Sequence, residues 1–191
     1  MIFFSKELLN SGPYKDGTVI ETFDKPGEYT LKIKGPGFYE IEAVSAGTGG
    51  RRIDSMQASF PAYAGATGAY YKGILRLKAG TYTVNIGAGV YYSNTAENTS
   101  IGEIFILSGA NVNVGGNITA RTTEVREITY TQGLNRTGTT TGNRPAQYIP
   151  DIPDDLKNYG YGGDGGPAYP YSWYSSVGGN GYLKVTYRSK K

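Results

Sequence analysis

The 191 residues carry 19 Lys and Arg against 16 Asp and Glu, with neither histidine nor cysteine. That excludes disulfides, thiolate nucleophiles, imidazole bases and the usual zinc ligand sets. A net charge of +3, spread along the chain apart from a short tail at Arg188, Lys190 and Lys191, gives no footprint for nucleic acid. Glycine (29) and tyrosine (18) are abundant, and charged residues make up 18% against the usual ~25%. Such a chain packs into one domain whose sparsely charged surface suits contact.

Residues 1–17 read as an N-terminal arm or strap. The apolar stretch Ile2–Phe4 is too short for a signal peptide, and nothing reaches the ~18 apolar residues of a membrane span. The expectation is a protein made in the cytoplasm, with no export by the common route and no membrane insertion.

Strand signals follow in quick order. TVIETF (18–23) leads to a turn at Asp24-Lys25-Pro26-Gly27. In GEYTLKI, Tyr29, Leu31 and Ile33 alternate with Thr30 and Lys32. After Gly35-Pro36-Gly37, FYEIEAV sets Tyr39, Ile41 and Ala43 opposite Glu40 and Glu42, which read as wet. These periods of two predict antiparallel strands with one solvated face. In AYYKGILRLKAG, Leu75 and Leu77 alternate with Ile74 and Arg76. Lys78-Ala79-Gly80 then turns into TYTVNIGAG, where Tyr82, Val84 and Ile86 alternate with Thr81, Thr83 and Asn85, and this reads as a hairpin. The apolar run Ile104–Leu107 predicts a strand covered on both sides.

Residues 117–158 shift towards Thr, Arg and Pro and read as an insertion. Within them EVREITYT predicts a strand and PDDLKN one helical turn begun by Pro153. Residues 159–181 are a Gly/Tyr-rich loop region. YLKVTY then closes the chain as a strand inside a sheet. No helix of ~10 residues is indicated, so the expected fold is all-β: residues 18–191 as an antiparallel β-sandwich or jelly-roll with a glycine-rich layer.

FYEIEAVSAGTGG, GAYYKGILRLKAGTYTVNIGAGV, TSIGEIFILSGA, GYGGDGG and GGNGYLKVTY occur in an order that resembles a glycine-rich domain of bacteriophage tail-fibre and receptor-binding proteins. The resemblance spans most of 27–116 and 159–187. It implies a β-sandwich joined to glycine segments packed in a polyproline-II-like conformation. The residues for such packing are Gly47, Gly49, Gly50, Gly162, Gly163, Gly165, Gly166, Gly178, Gly179 and Gly181. Only glycine lets extended chains lie side by side with nothing between their backbones. Two departures stand out: the glycine runs are short and interrupted, as in AYAGATG, and 117–158 is inserted.

The contact candidates are Tyr159, Tyr161, Tyr169, Tyr171, Trp173 and Tyr174, set among Gly, Ser and Pro as in antibody loops. They suit either packing within an assembly or binding of a host glycan or protein. Asp151, Asp154 and Asp155 are the densest acidic group. They read as a solvated loop rather than a Ca²⁺ site or a glycosidase pair. Gly162–Gly166 lacks the Lys-Ser/Thr and helix of a phosphate loop. The N-x-S/T triplets at Asn98, Asn117 and Asn135 carry no modification signal. The expected role is that of a bacteriophage virion structural protein, a tail-fibre or tip module or a head-decoration or head-fibre protein. Its partners would be other virion proteins and copies of itself. No cofactor, metal or catalysis is expected, and the alternatives are an adhesin or a carboxylate-dependent depolymerase.

Overall fold

The computed structural model describes residues 12–54, 63–91, 94–138, 146–164, 166–168 and 176–190. Two five-stranded antiparallel sheets pack face to face. In the first, strand β1 (Val19–Phe23) is followed across the sheet by β12 (Tyr182–Arg188), β3 (Gly37–Val44), β5 (Tyr70–Leu77) and β10 (Glu124–Thr131). In the second the order is β2 (Gly27–Ile33), β6 (Gly80–Ile86), β7 (Thr99–Ile101), β8 (Phe105–Leu107) and β9 (Ile118–Arg121). A short parallel pair joins β4 (Arg52–Asp54) to β11 (Gly166–Ala168).

The alternating residues fill the space between the sheets as their period of two dictates. Leu31, Tyr39, Ile41, Tyr71, Leu75, Leu77, Val84, Ile86, Leu183 and Val185 are all buried in one core. Each such side chain contributes about 1.5–3 kcal/mol of burial. The final strand does sit inside a sheet, between β1 and β3.

The segment read as a hairpin, β5 to β6, is not one. β5 lies in the first sheet and β6 in the second. β6 lies between β2 and β7, paired along its length with β2 from Gly27 opposite Ile86 to Ile33 opposite Gly80. β5 lies between β3 and β10, paired with β3 from Gly37 opposite Leu77 to Val44 opposite Tyr70. The chain therefore forms a two-stranded ribbon folded over on itself, with residues 34–36 and 78–79 at the fold. Alternation reports which face of a strand is buried, not which strand lies beside it, and a short link serves a hairpin and a corner equally well. Residues 122–123 make the same kind of step, from β9 in the second sheet to β10 in the first. The stretch read as an insertion thus begins with an edge strand for each sheet.

Three tyrosines fasten the turns. The hydroxyls of Tyr29, Tyr39 and Tyr82 each donate to the carbonyl four residues upstream, at Lys25 (3.0 Å), Gly35 (2.7 Å) and Lys78 (3.0 Å). Each ring packs on or into the core while its polar tip satisfies a turn carbonyl. The tyrosine corner of immunoglobulin-like sandwiches uses the same division of labour.

Two further expectations change. Ile104–Leu107 is covered on one side only: Phe105 and Leu107 are buried, Ile104 and Ile106 half-buried. The run starts at the last residue of the tight turn between β7 and β8, which passes through Gly102 (φ +48), and continues as β8. Glu40 and Glu42 are not wet, their side chains being only 12% and 13% exposed. Lys72 reaches both, Lys184 lies 3.8 Å from Glu42, and Arg188 lies 2.9 Å from Glu40. Neighbouring strands supply cations on the same face, so the carboxylates are covered by their own partners. Beside them, Ile149, Ile152, Leu156 and Tyr159 cover Val44, Tyr70 and Tyr182. The predicted turn at PDDLKN is a 3₁₀ turn, Asp154–Leu156, preceded by Pro153.

Burial pushes the Tyr39 and Tyr182 hydroxyls up to about 12, with Glu42 adding to the effect on Tyr182. Tyr70 and Tyr71 are raised further by burial, by Glu42 near Tyr70 and by the hydrogen bond from Tyr71 to Glu124. A phenol whose folded pKa exceeds its unfolded value contributes stability that is complete below pH ~10 and lost as the pH rises through the folded value. Urea midpoints should therefore stay level to pH ~9. Above pH ~10 stability should fall by about 1.4 kcal/mol per pH unit for each of these tyrosines. Below pH ~11, tyrosinate absorbance from these residues should appear only with unfolding.

Candidate contact surface in the glycine layer

At the end of the sandwich where β3 runs out, the chain enters extended segments that belong to neither five-stranded sheet. The central one is Ser45–Arg51. Its amides turn to successive neighbours with a period of three. Ser45, Thr48 and Arg51 donate to the carbonyls of Ala69, Ala66 and Tyr63 (3.0, 2.9 and 2.8 Å). Gly47 and Gly50 donate to the Gly179 carbonyl (2.8 Å) and the Ser176 hydroxyl (3.1 Å). Gly49 donates to the Val90 carbonyl (2.6 Å). In return the carbonyls of Ala46 and Thr48 accept from Ala110 and Gly163 (both 2.9 Å).

The next segment, 63–69, repeats the pattern. Gly65 and Gly68 donate to Gly163 and Gly160 (2.8 and 2.7 Å), while Ala64 and Thr67 donate to Thr137 and Leu134 (both 3.0 Å). Three residues per turn with every amide directed outwards is the hydrogen-bonding habit of a polyproline-II-like helix.

Such packing demands glycine only on the crowded side of each segment, at every third residue. A Cβ on Gly65 would lie 1.9 Å from the Thr48 carbonyl oxygen, and one on Gly68 would lie 1.8 Å from that of Ser45. Gly47, Gly50, Gly162 and Gly178 face neighbouring carbonyl oxygens at 1.9–2.2 Å in the same way. The interrupted run AYAGATG thus lies at the heart of the layer. The residues between and beside its glycines are small because they too are enclosed: Ala64, Ala66, Thr67 and Ala69 are buried. Buried hydroxyls add cross-links. Ser45 Oγ and Thr48 Oγ1 accept from the Ala69 and Ala66 amides (2.8 and 2.9 Å), and Thr67 Oγ1 accepts from Leu134 (2.7 Å).

The other glycine candidates sit as follows. A Cβ on Gly163 would meet the Ser176 hydroxyl and one on Gly179 the Tyr161 ring. The Gly181 amide donates to the Gly87 carbonyl at 2.8 Å. Gly166 begins β11, and Gly165 lies outside the described residues. Of the aromatic candidates, Tyr159 packs at a tilt against Tyr182 (5.0 Å between centroids) and Tyr161 against Tyr148 (6.2 Å). Tyr169, Tyr171, Trp173 and Tyr174 lie outside the described residues.

A second set of candidate contact residues has no signal in the sequence. Tyr91, Val114, Leu134, Tyr148 and Val177 are exposed large hydrophobics carried on layer segments or beside them. None stands in a periodic pattern, so nothing in the sequence singles them out.

The acidic group offers little chemistry. Asp154 and Asp155 are exposed, and Lys157 at 2.5 Å holds the Asp154 carboxyl below its ordinary pKa. Asp151 adopts a left-handed turn conformation (φ 55). Among the described residues no three acidic groups converge on a point where a metal could be held. The asparagines of the N-x-S/T triplets shape loops: Asn98 and Asn135 accept the Gly109 and Gly115 amides, and Asn117 accepts the Tyr130 hydroxyl. No protein-family model matches the chain, and no curated protein matches it in sequence.

The layer sets a direct test. Gly65→Ala should destabilise the fold by about 3 kcal/mol or more, because the clash is with backbone that has nowhere to move. Gly102→Ala, with open space around it but a left-handed φ, should cost about 1–2 kcal/mol. Urea unfolding of the two variants reads the difference, and equal losses would mean that the close approach carries no special weight.

Proposed function

We propose that this protein is a structural component of a bacteriophage particle, exposed on its surface as a tail-fibre or tip module or a head-decoration or head-fibre protein. It acts by assembly and contact, without catalysis. The observation that carries this reading is the glycine layer, with segments packed backbone to backbone and apolar residues exposed along them. It is the arrangement implied by the resemblance to the glycine-rich phage domain. A layer of this kind is stiffened through main-chain bonds rather than bulky side chains, and its exposed Tyr91, Tyr148, Leu134 and Val177 suit burial against a neighbour.

Two further features support the reading. Tyr159 and Tyr161 pack against tyrosines of this chain, which favours structure over receptor capture for those two rings. The carboxylates best placed for chemistry, Glu40, Glu42 and Asp154, are held in ion pairs.

Mass spectrometry and immunogold labelling of purified particles of the phage that encodes the chain provide the test. The chain should be present at a fixed copy ratio and accessible on intact particles. A chain abundant in the lysate but absent from mature particles would overturn the proposal.

A further inference from the structure

The four outer edges of the two sheets are not alike. β1 has five residues and breaks register between Val19 and Glu21. β10 breaks register twice, and the four-residue β9 once. Such irregularities stop an edge from accepting another strand. β2 is different, with seven residues paired to β6 without a break. Its other side has no partner among the described residues.

The direction of the unpaired groups on β2 follows from the sheet. The Gly102 amide donates to the Thr83 carbonyl (2.8 Å), so Thr83 points its main-chain groups at β7. Thr83 lies opposite Thr30. In an antiparallel pair, residues that do not bond to each other point their amide and carbonyl away from each other. The N–H and C=O of Thr30, and by alternation those of Glu28 and Lys32, therefore face the open edge. The side chains of all three are on the exposed face of the strand.

We propose that this edge pairs with the same edge of a second copy of the chain, antiparallel, about a twofold axis through Thr30. In that register Thr30 bonds to Thr30 of the other copy, and Glu28 lies directly opposite Lys32, once on each side of the axis. Every outward amide and carbonyl of Glu28, Thr30 and Lys32 is satisfied, and each cross-strand charge pair is of opposite sign. On the core side Tyr29 meets Leu31 of the second copy, which continues the buried face across the axis. The two second sheets become one continuous sheet. Self-complementarity of this kind is what a twofold interface requires. The dimer deepens the assembly part of the proposed function and rests on that reading only to that extent.

The test uses the purified full chain, so its outcome is separate from whether the protein occurs in particles. Sedimentation equilibrium should give twice the 20.5 kDa chain mass. Thr30→Pro removes an N–H that faces away from β6, which an edge strand tolerates, and should give a monomer with unchanged circular dichroism. Glu28→Lys places like charges opposite each other and should raise the dissociation constant roughly tenfold or more. Adding Lys32→Glu to it restores opposite signs and should restore the dimer, a rescue that holds even where Thr30→Pro fails to fold. A wild-type chain that stays monomeric at 100 μM (on the order of a hundred times a micromolar dissociation constant) would overturn the proposal. So would a dimer that Glu28→Lys leaves unweakened.

Discussion

An extended threefold segment has no hydrogen bonds of its own, so every buried amide in it must find a neighbour. The rest of the glycine layer follows from that constraint. Ser45–Arg51 meets it by drawing other segments around itself, each at backbone contact distance. Contact at that distance leaves no room for a Cβ on the crowded side, which sets glycine at Gly47 and Gly50 and again at Gly65 and Gly68. Where a hydroxyl fits, as at Ser45, Thr48 and Thr67, it takes up an amide that no carbonyl reaches.

The sandwich and the layer solve the same problem by different means. In the sheets, strands pair along their length and large side chains fill the space between faces. In the layer, backbone fills the space and side chains are nearly absent. The tyrosines that fasten the turns belong to the first regime. Tyr29, Tyr39 and Tyr82 join core packing to the fastening of a turn. That explains why their positions alternate like a core residue's although the hydroxyl is polar.

The strands were readable because alternation is a local property of sequence. β2, β3 and β6 fall where their periods of two put them, with the expected apolar face of each turned to the core, while β12 is buried on both faces, Tyr182 and Thr186 included. Pairing was not readable in the same way. The link at Lys78-Ala79 suits a hairpin, and only the competing partners β2 and β3 decide that it is a corner. Glu40 and Glu42 looked solvated because their cover comes from Lys72, Lys184 and Arg188, which are remote in sequence. The layer was visible as a glycine excess. Its spacing of three went unseen because the interruptions in the runs were read as departures from a glycine layer, whereas a threefold helix with one crowded side needs glycine only at every third residue. The contacts of Tyr159 and Tyr161 were not legible for a related reason: their partners, Tyr182 and Tyr148, lie outside the glycine-rich stretch itself.

The placement of β12 has a consequence for how the chain comes together. This strand, residues 182–188, is inserted between β1 and β3, and the segment just before it bonds to Gly47 and Val90 through Gly179 and Gly178. While a ribosome is still making residues beyond ~150, β1 has no strand to dock on and the central glycine segment lacks one of its walls. Those early amides must wait in water, and the non-local closures that satisfy them come late and slowly. A chain interrupted before residue 182 would leave an open sheet flank and unpaired backbone, the species most prone to misassociate. Only a chain that includes residues 178–188 can close both the first sheet and the layer.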